Sequence, residues 1–199
     1  DGSRADMGSY PYLNSYSGPT WYITESGNDT TATGASDDPF RSIQAGINFS
    51  SDADSVTVAA GTYIENINFR GRNIKVVGED QETTTIDGDS SGSVVTFESE
   101  EDLTAVLSGF TLKNGGSVEG GGIYIYYSSP IIRNCIITDN SGYLTGGGIF
   151  ADADPTTGYP APTIENCLIK NNSAGVDGGG IKFHYSKGKI INSTIVNNS

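Results

Sequence analysis

GGGIYIYYSSPIIRNCIITDNS at residues 120–141, GGGIFADADPTTGYPAPTIENCLIKNNS at 146–173 and GGGIKFHYSKGKIINSTIVNNS at 178–199 are three copies of one pattern. Each opens on three glycines, runs through short alternating apolar stretches and closes on an Asn-Ser corner. Ile123 to Ile149 is 26 residues and Ile149 to Ile181 is 32. Asn134 to Asn166 is 32, and Asn166 to Asn192 is 26. The six extra residues fall in DADPTTGYPA at 152–161. A Pro- and Gly-bearing loop of this kind bulges from a corner without disturbing a stack. A period in the twenties to low thirties is the signature of a solenoid.

Within each copy the apolar residues alternate, which is the period of a strand rather than a helix. Ile123 and Ile125 point one way, Tyr124 and Tyr126 the other. Three short strands per copy, broken at Gly, Asn and Ser corners, predict one coil of a parallel β-helix. Stacking the coils places Leu107, Ile132, Ile164 and Ile190 in one inward row. Leu112, Ile137, Ile169 and Ile195 form another, and Phe110, Cys135, Cys167 and Ser193 a third. The first step of these rows needs an offset of 25 residues rather than 26, because the longer offset would bury Thr111. Asn134, Asn166 and Asn192 then line one corner, and Asn140, Asn172 and Asn198 another. Stacked amides hydrogen-bond from coil to coil, so these six are read as structural ladders. The two cysteines lie one above the other about 4.8 Å apart. In-register side chains point the same way, which strains a disulfide and favours a pair of buried thiols.

The chain has 199 residues, enough for one domain with a sizeable core. Its 24 acidic against 11 basic side chains give a net charge of −13, which argues against nucleic acid and anionic membranes as partners. No apolar run reaches the length of a membrane helix, so membrane insertion is not expected. The acidic balance suits an extracellular or cell-surface location. The chain opens at Asp1 without a signal peptide, which is expected of a mature form or a fragment.

Ahead of the repeats, Trp21–Thr24 reads as a strand. Asp38, Pro39 and Phe40 read as a helix start, with Phe40, Ile43 and Ile47 on one apolar face. A single amphipathic helix before a β-helix covers the first coil, whose strand edges and core otherwise lie open. The expected organisation is an N-terminal extension at 1–20, a strand plus capping helix at 21–54, and the parallel β-helix at 55–199.

WYITESGNDTTATGASDDPFRSIQAGIN, VTVAAGTYIENINF, IKVVGED, TTIDGD, LSGFTLKNG and GGGIY follow one another along the chain. In this order they resemble the secreted bacterial right-handed parallel β-helix proteins of the pectate-lyase-like superfamily. The resemblance covers about residues 20–199. It implies an all-β, right-handed, single-stranded solenoid of about five coils with an N-terminal capping helix. It does not imply one activity, since that superfamily holds lyases, hydrolases, tailspikes and adhesins. DGSRADMGSYPY at 1–12 resembles the segment that usually closes the last coil in this family, yet here it comes first.

Three candidate sites follow. Tyr126, Asp152 and His184 share one outward position in successive coils, with Tyr124, Phe150 and Lys182 two residues earlier. A His beside an Asp suits general-base chemistry, and neighbouring aromatics suit sugar rings. The polygalacturonase-like arrangement of an Asp cluster with His and basic partners, and the Ca²⁺-plus-basic-residue arrangement of the lyases, find no matching ladder. Acidic side chains near the cap, Asp29, Asp37 and Asp38, are the candidate Ca²⁺ ligands, although no motif spacing supports them; no cofactor is otherwise expected. Finally, Ile190, Ile195 and Val196 at one end, and Trp21, Phe40 and Ile43 at the other, are the candidate assembly surfaces. The expected function is a non-enzymatic structural module of an extracellular fibre, filament or large adhesin that joins other copies or neighbouring modules head to tail. A carbohydrate-active module, lyase-like or glycan-binding, is the alternative, with polysaccharide as its partner.

Overall fold

A computed structural model describes residues 16–154 and 160–199, which form parallel strands wound into a β-helix with one short helix. The closing-type segment expected at 1–12 lies outside the described residues, as do 155–159 of the inserted loop. The first sheet has seven strands: Thr20–Ile23, Ser55–Val58, Lys75–Gly78, Val106–Ser108, Ile131–Arg133, Thr163–Glu165 and Lys189–Ile191. The second has six: Gly61–Ile64, Thr84–Asp87, Thr111–Lys113, Ile136–Thr138, Leu168–Lys170 and Thr194–Val196. The third has five: Ile67–Asn68, Val95–Phe97, Ile123–Tyr126, Ile149–Asp152 and Ile181–Phe183. From Ser55–Val58 onward, successive strands of the chain fall in different sheets and pair with the strand one coil on, so the five strands of the third sheet count five completed coils.

The pairing places like on like. One inward row runs Trp21, Val56, Val76, Leu107, Ile132, Ile164 and Ile190. A second runs Tyr63, Ile86, Leu112, Ile137, Ile169 and Ile195. Side chains in the interior of these rows are fully buried, each contributing about 1.5–3 kcal/mol relative to exposure. Leu107 pairs with Ile132, the expected 25-residue step. The glycines nevertheless follow a 26-residue step, with Ile123 opposite Ile149. A fourth, three-stranded sheet, Gly116–Glu119, Ser141–Thr145 and Ser173–Ala174, reconciles the two. Its register shifts between Ser117 and Glu119, where a β-bulge absorbs the odd residue.

The two Asn columns work differently. Asn140 and Asn172 are buried, and the amide of each donates to the next: Asn140 Nδ2 to Asn172 Oδ1 and Asn172 Nδ2 to Asn198 Oδ1, both 3.0 Å. The same oxygens accept backbone N–H groups of Asn140 and Asn172. Asn134, Asn166 and Asn192 instead occupy left-handed backbone, with φ of 50°, 52° and 46°. Asn tolerates that conformation better than most residues. This corner is joined by backbone bonds, such as Asn134 N to Glu165 O, rather than through its side chains. Cys135 and Cys167 are buried free thiols, and burial holds the Cys135 thiol well above the ordinary cysteine range.

The cap departs from expectation in its first turn. The helix is Ile43–Phe49 and its N-cap is Ser42, whose side chain accepts from Ala45 N. Asp38 does not cap a helix, because its carboxylate accepts from Thr33 N at 2.9 Å. Phe40 is extended: its N–H donates to Tyr22 O and its carbonyl accepts from Thr24 N. It therefore lies along the open edge of the first sheet, with its ring stacked on Trp21 and Phe49. The other two sheets are closed by side chains. Glu25 accepts from Thr62 N in the second. In the third, the Gln44 carboxamide takes the place of a missing strand: its oxygen accepts from Asn68 N at 2.8 Å and its nitrogen donates to Asn68 O at 3.2 Å. Each of the three long sheets thus has a hydrogen-bond partner at this end.

Candidate functional site

The outward face of the third sheet brings together the residues expected from the register. Thr96, Tyr124, Phe150 and Lys182 form one column. Tyr126 pairs with Asp152, and His184 follows one coil on, its N–H donating to Ala151 O. His184 Nδ1 lies 2.9 Å from Asp152 Oδ1, so the two coils are linked through this pair. Lys182 is drawn to Asp177 at 2.7 Å. The Tyr124 ring lies 6.3 Å from that of Tyr126 and 6.1 Å from that of Phe150, both within about 20° of parallel.

The electrostatics of the face are acidic. Burial, followed by the charges of Glu119, Asp152 and Glu98, pushes the Tyr124 hydroxyl up to about 12. Tyr126 is also raised, first by its neighbour Tyr127 and then by slight burial and by Asp152 and Asp154. Neither tyrosine is therefore a proton acceptor near neutral pH. Asp152 and His184 make one hydrogen-bonded pair; acid–base catalysis on a glycosidic bond uses a second group across the substrate.

Two further residues of this face escape a reading by strand alternation. Tyr127 and Tyr185 are the residues immediately after Tyr126 and His184, and both have left-handed backbone, with φ of 54° and 45°. Tyr127 packs edge-on against Tyr126 at 4.3 Å, and Tyr185 lies 4.2 Å from His184. Between them, in the intervening coil, stands Ala153. The signal is present in the sequence: apart from glycine, the other left-handed corners in these coils hold Asn or Asp, namely Asn134, Asp139, Asn166, Asn171, Asn192 and Asn197.

Asp29 and Asp38, near the cap, are each engaged by backbone N–H groups. Asp29 accepts from Arg41 N and Ser42 N at 2.8 and 2.9 Å, bracing the start of the helix. Asp38 is engaged by Thr33 N, and no contact draws Asp37 to either. Among the described residues no group of three His, Cys, Asp or Glu could hold a metal ion. The Ca²⁺ expectation for Asp29, Asp37 and Asp38 thus has no assembled ligand set. Glu65, which reasoning from sequence passed over, completes the brace: its carboxylate accepts from Ile43 N and Gln44 N.

The assembly residues divide sharply. Ile190, Ile195 and Val196 are 43%, 46% and 41% exposed. With Gly180, Ile181 and Phe183 they line a concavity of about 470 Å³ on the last described coil. Trp21, Phe40 and Ile43 are fully buried within the cap and offer no surface.

The sequence matches the family described as "Right handed beta helix region" over residues 42–199. No curated protein and no solved structure matches the chain.

Proposed function

As the chain belongs to the right-handed β-helix family, we propose that it is a non-enzymatic structural module of an extracellular or cell-surface fibre, filament or large adhesin, joined end to end to other copies or neighbouring modules. One observation carries the reading: the strands of the three long sheets pair in parallel from coil to coil, so a coil stacked on Lys189–Ile191 and Thr194–Val196 would extend the same rows over Ile190, Ile195 and Val196 and their apolar concavity. Trp21, Phe40 and Ile43 lie inside the cap, so these three side chains are not themselves the surface that would meet this coil. Sedimentation across a concentration series, with electron microscopy of the products, tests the proposal. Association that is lost in Ile190→Asp and Ile195→Asp is expected. Dispersed monomers at every concentration overturn it.

The His184–Asp152 contact, set among tyrosines on one face, favours a second reading as a carbohydrate-active module, lyase-like or glycan-binding. A panel of oligosaccharides, with a lyase assay in the presence and absence of Ca²⁺, distinguishes the two. Turnover lost in His184→Ala would replace the structural reading with an enzymatic one.

A further inference from the structure

We propose that the corner formed by Tyr126, Tyr127, Asp152, His184 and Tyr185 binds a linear glycan of amine-bearing sugars, whose protonated amino groups lie against the tyrosine rings and the Asp152 carboxylate. The inference rests on the second, saccharide reading of the face and adds the charge of the ligand and the residues that hold it.

The first argument is the placement of the aromatics. A bulky side chain in left-handed backbone is strained, and this fold has a less strained solution at hand in Asn. Tyr127 and Tyr185 are kept at equivalent corners in alternate coils, with the small Ala153 between them. Their rings are held by Tyr126 and His184 at 4.3 and 4.2 Å rather than by the core. Tyr185 is 43% exposed. Two coils separate them, about 10 Å along the axis, which is close to the length of a β-linked disaccharide unit. A chain laid along the solenoid would meet one tyrosine every second sugar.

The second argument is charge. The basic groups on this face are already engaged, Lys182 by Asp177 and His184 by Asp152. Asp152, Glu98 and Glu119 all act on Tyr124, and Asp152 and Asp154 on Tyr126. A uronate polymer would meet like charge here. A cation meets carboxylates at the rim and the negative faces of tyrosine rings, the pairing by which proteins recognise organic ammonium groups.

The test uses the intact protein and calorimetry, at a pH where the glycan's amines are protonated. The probes are a glucosamine hexamer, its fully N-acetylated counterpart, an oligogalacturonate and a lysine-rich peptide. The expected result is preference for the glucosamine hexamer, weakened about tenfold when both rings are removed in Tyr127→Asn/Tyr185→Asn, since each cation–π contact is worth about 0.5–1 kcal/mol. Asn suits left-handed backbone, so this variant folds, and thermal denaturation verifies it. Equal binding by wild type and variant indicates attraction to the −13 charge alone and overturns the site. Preference for the acetylated or acidic oligomer overturns the ligand class while leaving the saccharide reading intact. Equal capture of the lysine peptide through the same tyrosines overturns the glycan. No binding of any sugar removes both readings.

Discussion

Asn172 and Asn166 are both asparagines at solenoid corners, and their spacing predicts amide ladders for both, yet they hold the structure by different means. Asn172 is buried, its amide oxygen accepts from Asn140 N and Asn140 Nδ2, and its amide nitrogen donates to Asn198 Oδ1, Ile137 O and Lys170 O. Replacing it with Ala leaves several buried groups without partners, each costing about 1–3 kcal/mol. Asn166 needs only a residue that accepts φ of 52°. Urea unfolding is expected to show Asn172→Ala destabilised by about 2–4 kcal/mol and Asn166→Gly within a few tenths of wild type. Comparable losses in the two variants would mean that the Asn166 column also works through its amides. The Asn spacing shows both columns in the sequence; the backbone angle that separates their roles does not.

The capping helix is an element whose existence was legible and whose boundary was not. Seven residues are too few for a helix to stand by itself in water. It is fixed instead by carboxylates from outside it, Asp29 and Glu65, and by Gln44 reaching to Asn68. Those contacts join residues 12 to 24 positions apart, beyond the reach of any local capping signal. Asp-Pro-Phe looked like a helix start because its competitors, Thr33 and Tyr22, meet it only in the folded cap. Burial raises the Glu65 carboxyl above its ordinary value, despite the two N–H groups it accepts and with Asp29 adding to the rise. A carboxyl raised by folding holds its proton longer in the folded state. Its contribution therefore favours folding below the ordinary glutamate range and is lost as pH rises through the raised value. Relative to Glu65→Gln, the wild type is expected to lose stability as pH rises above the ordinary glutamate range, measured as the difference between two urea-midpoint profiles. A difference that moves the opposite way would show that the helix N–H groups outweigh burial.

At the scale of the whole molecule, stability is a sum of coils and their interfaces. Inner coils are covered on both sides, whereas Ile190 and Ile195, in the last described strands of their sheets, are exposed. Native-state hydrogen exchange of the dilute protein is expected to be slowest at Val76, Leu107 and Ile132 and to quicken toward 189–196. Protection that is uniform from cap to last coil would contradict this gradient. The same exposure underlies the end-to-end proposal: a partner coil that covers Ile190 and Ile195 should slow exchange there and nowhere near the sealed cap.

The sequence by itself determined the solenoid, its coil length, the inward rows and the outward neighbours Tyr126, Asp152 and His184. Each follows from periodicity, and a repeated pattern must stack like on like to bury one continuous core. Tertiary structure decided the rest. It located the odd residue in a bulge at Tyr143 and Leu144, opposite Val118, turned one Asn column into an amide ladder and the other into a set of left-handed corners, and gave each of the three long sheets a hydrogen-bond partner at the cap. It also set Tyr127 and Tyr185 at equivalent corners on either side of Ala153. These depend on backbone angles and on hydrogen bonds between distant residues, and neither leaves a period in the chain.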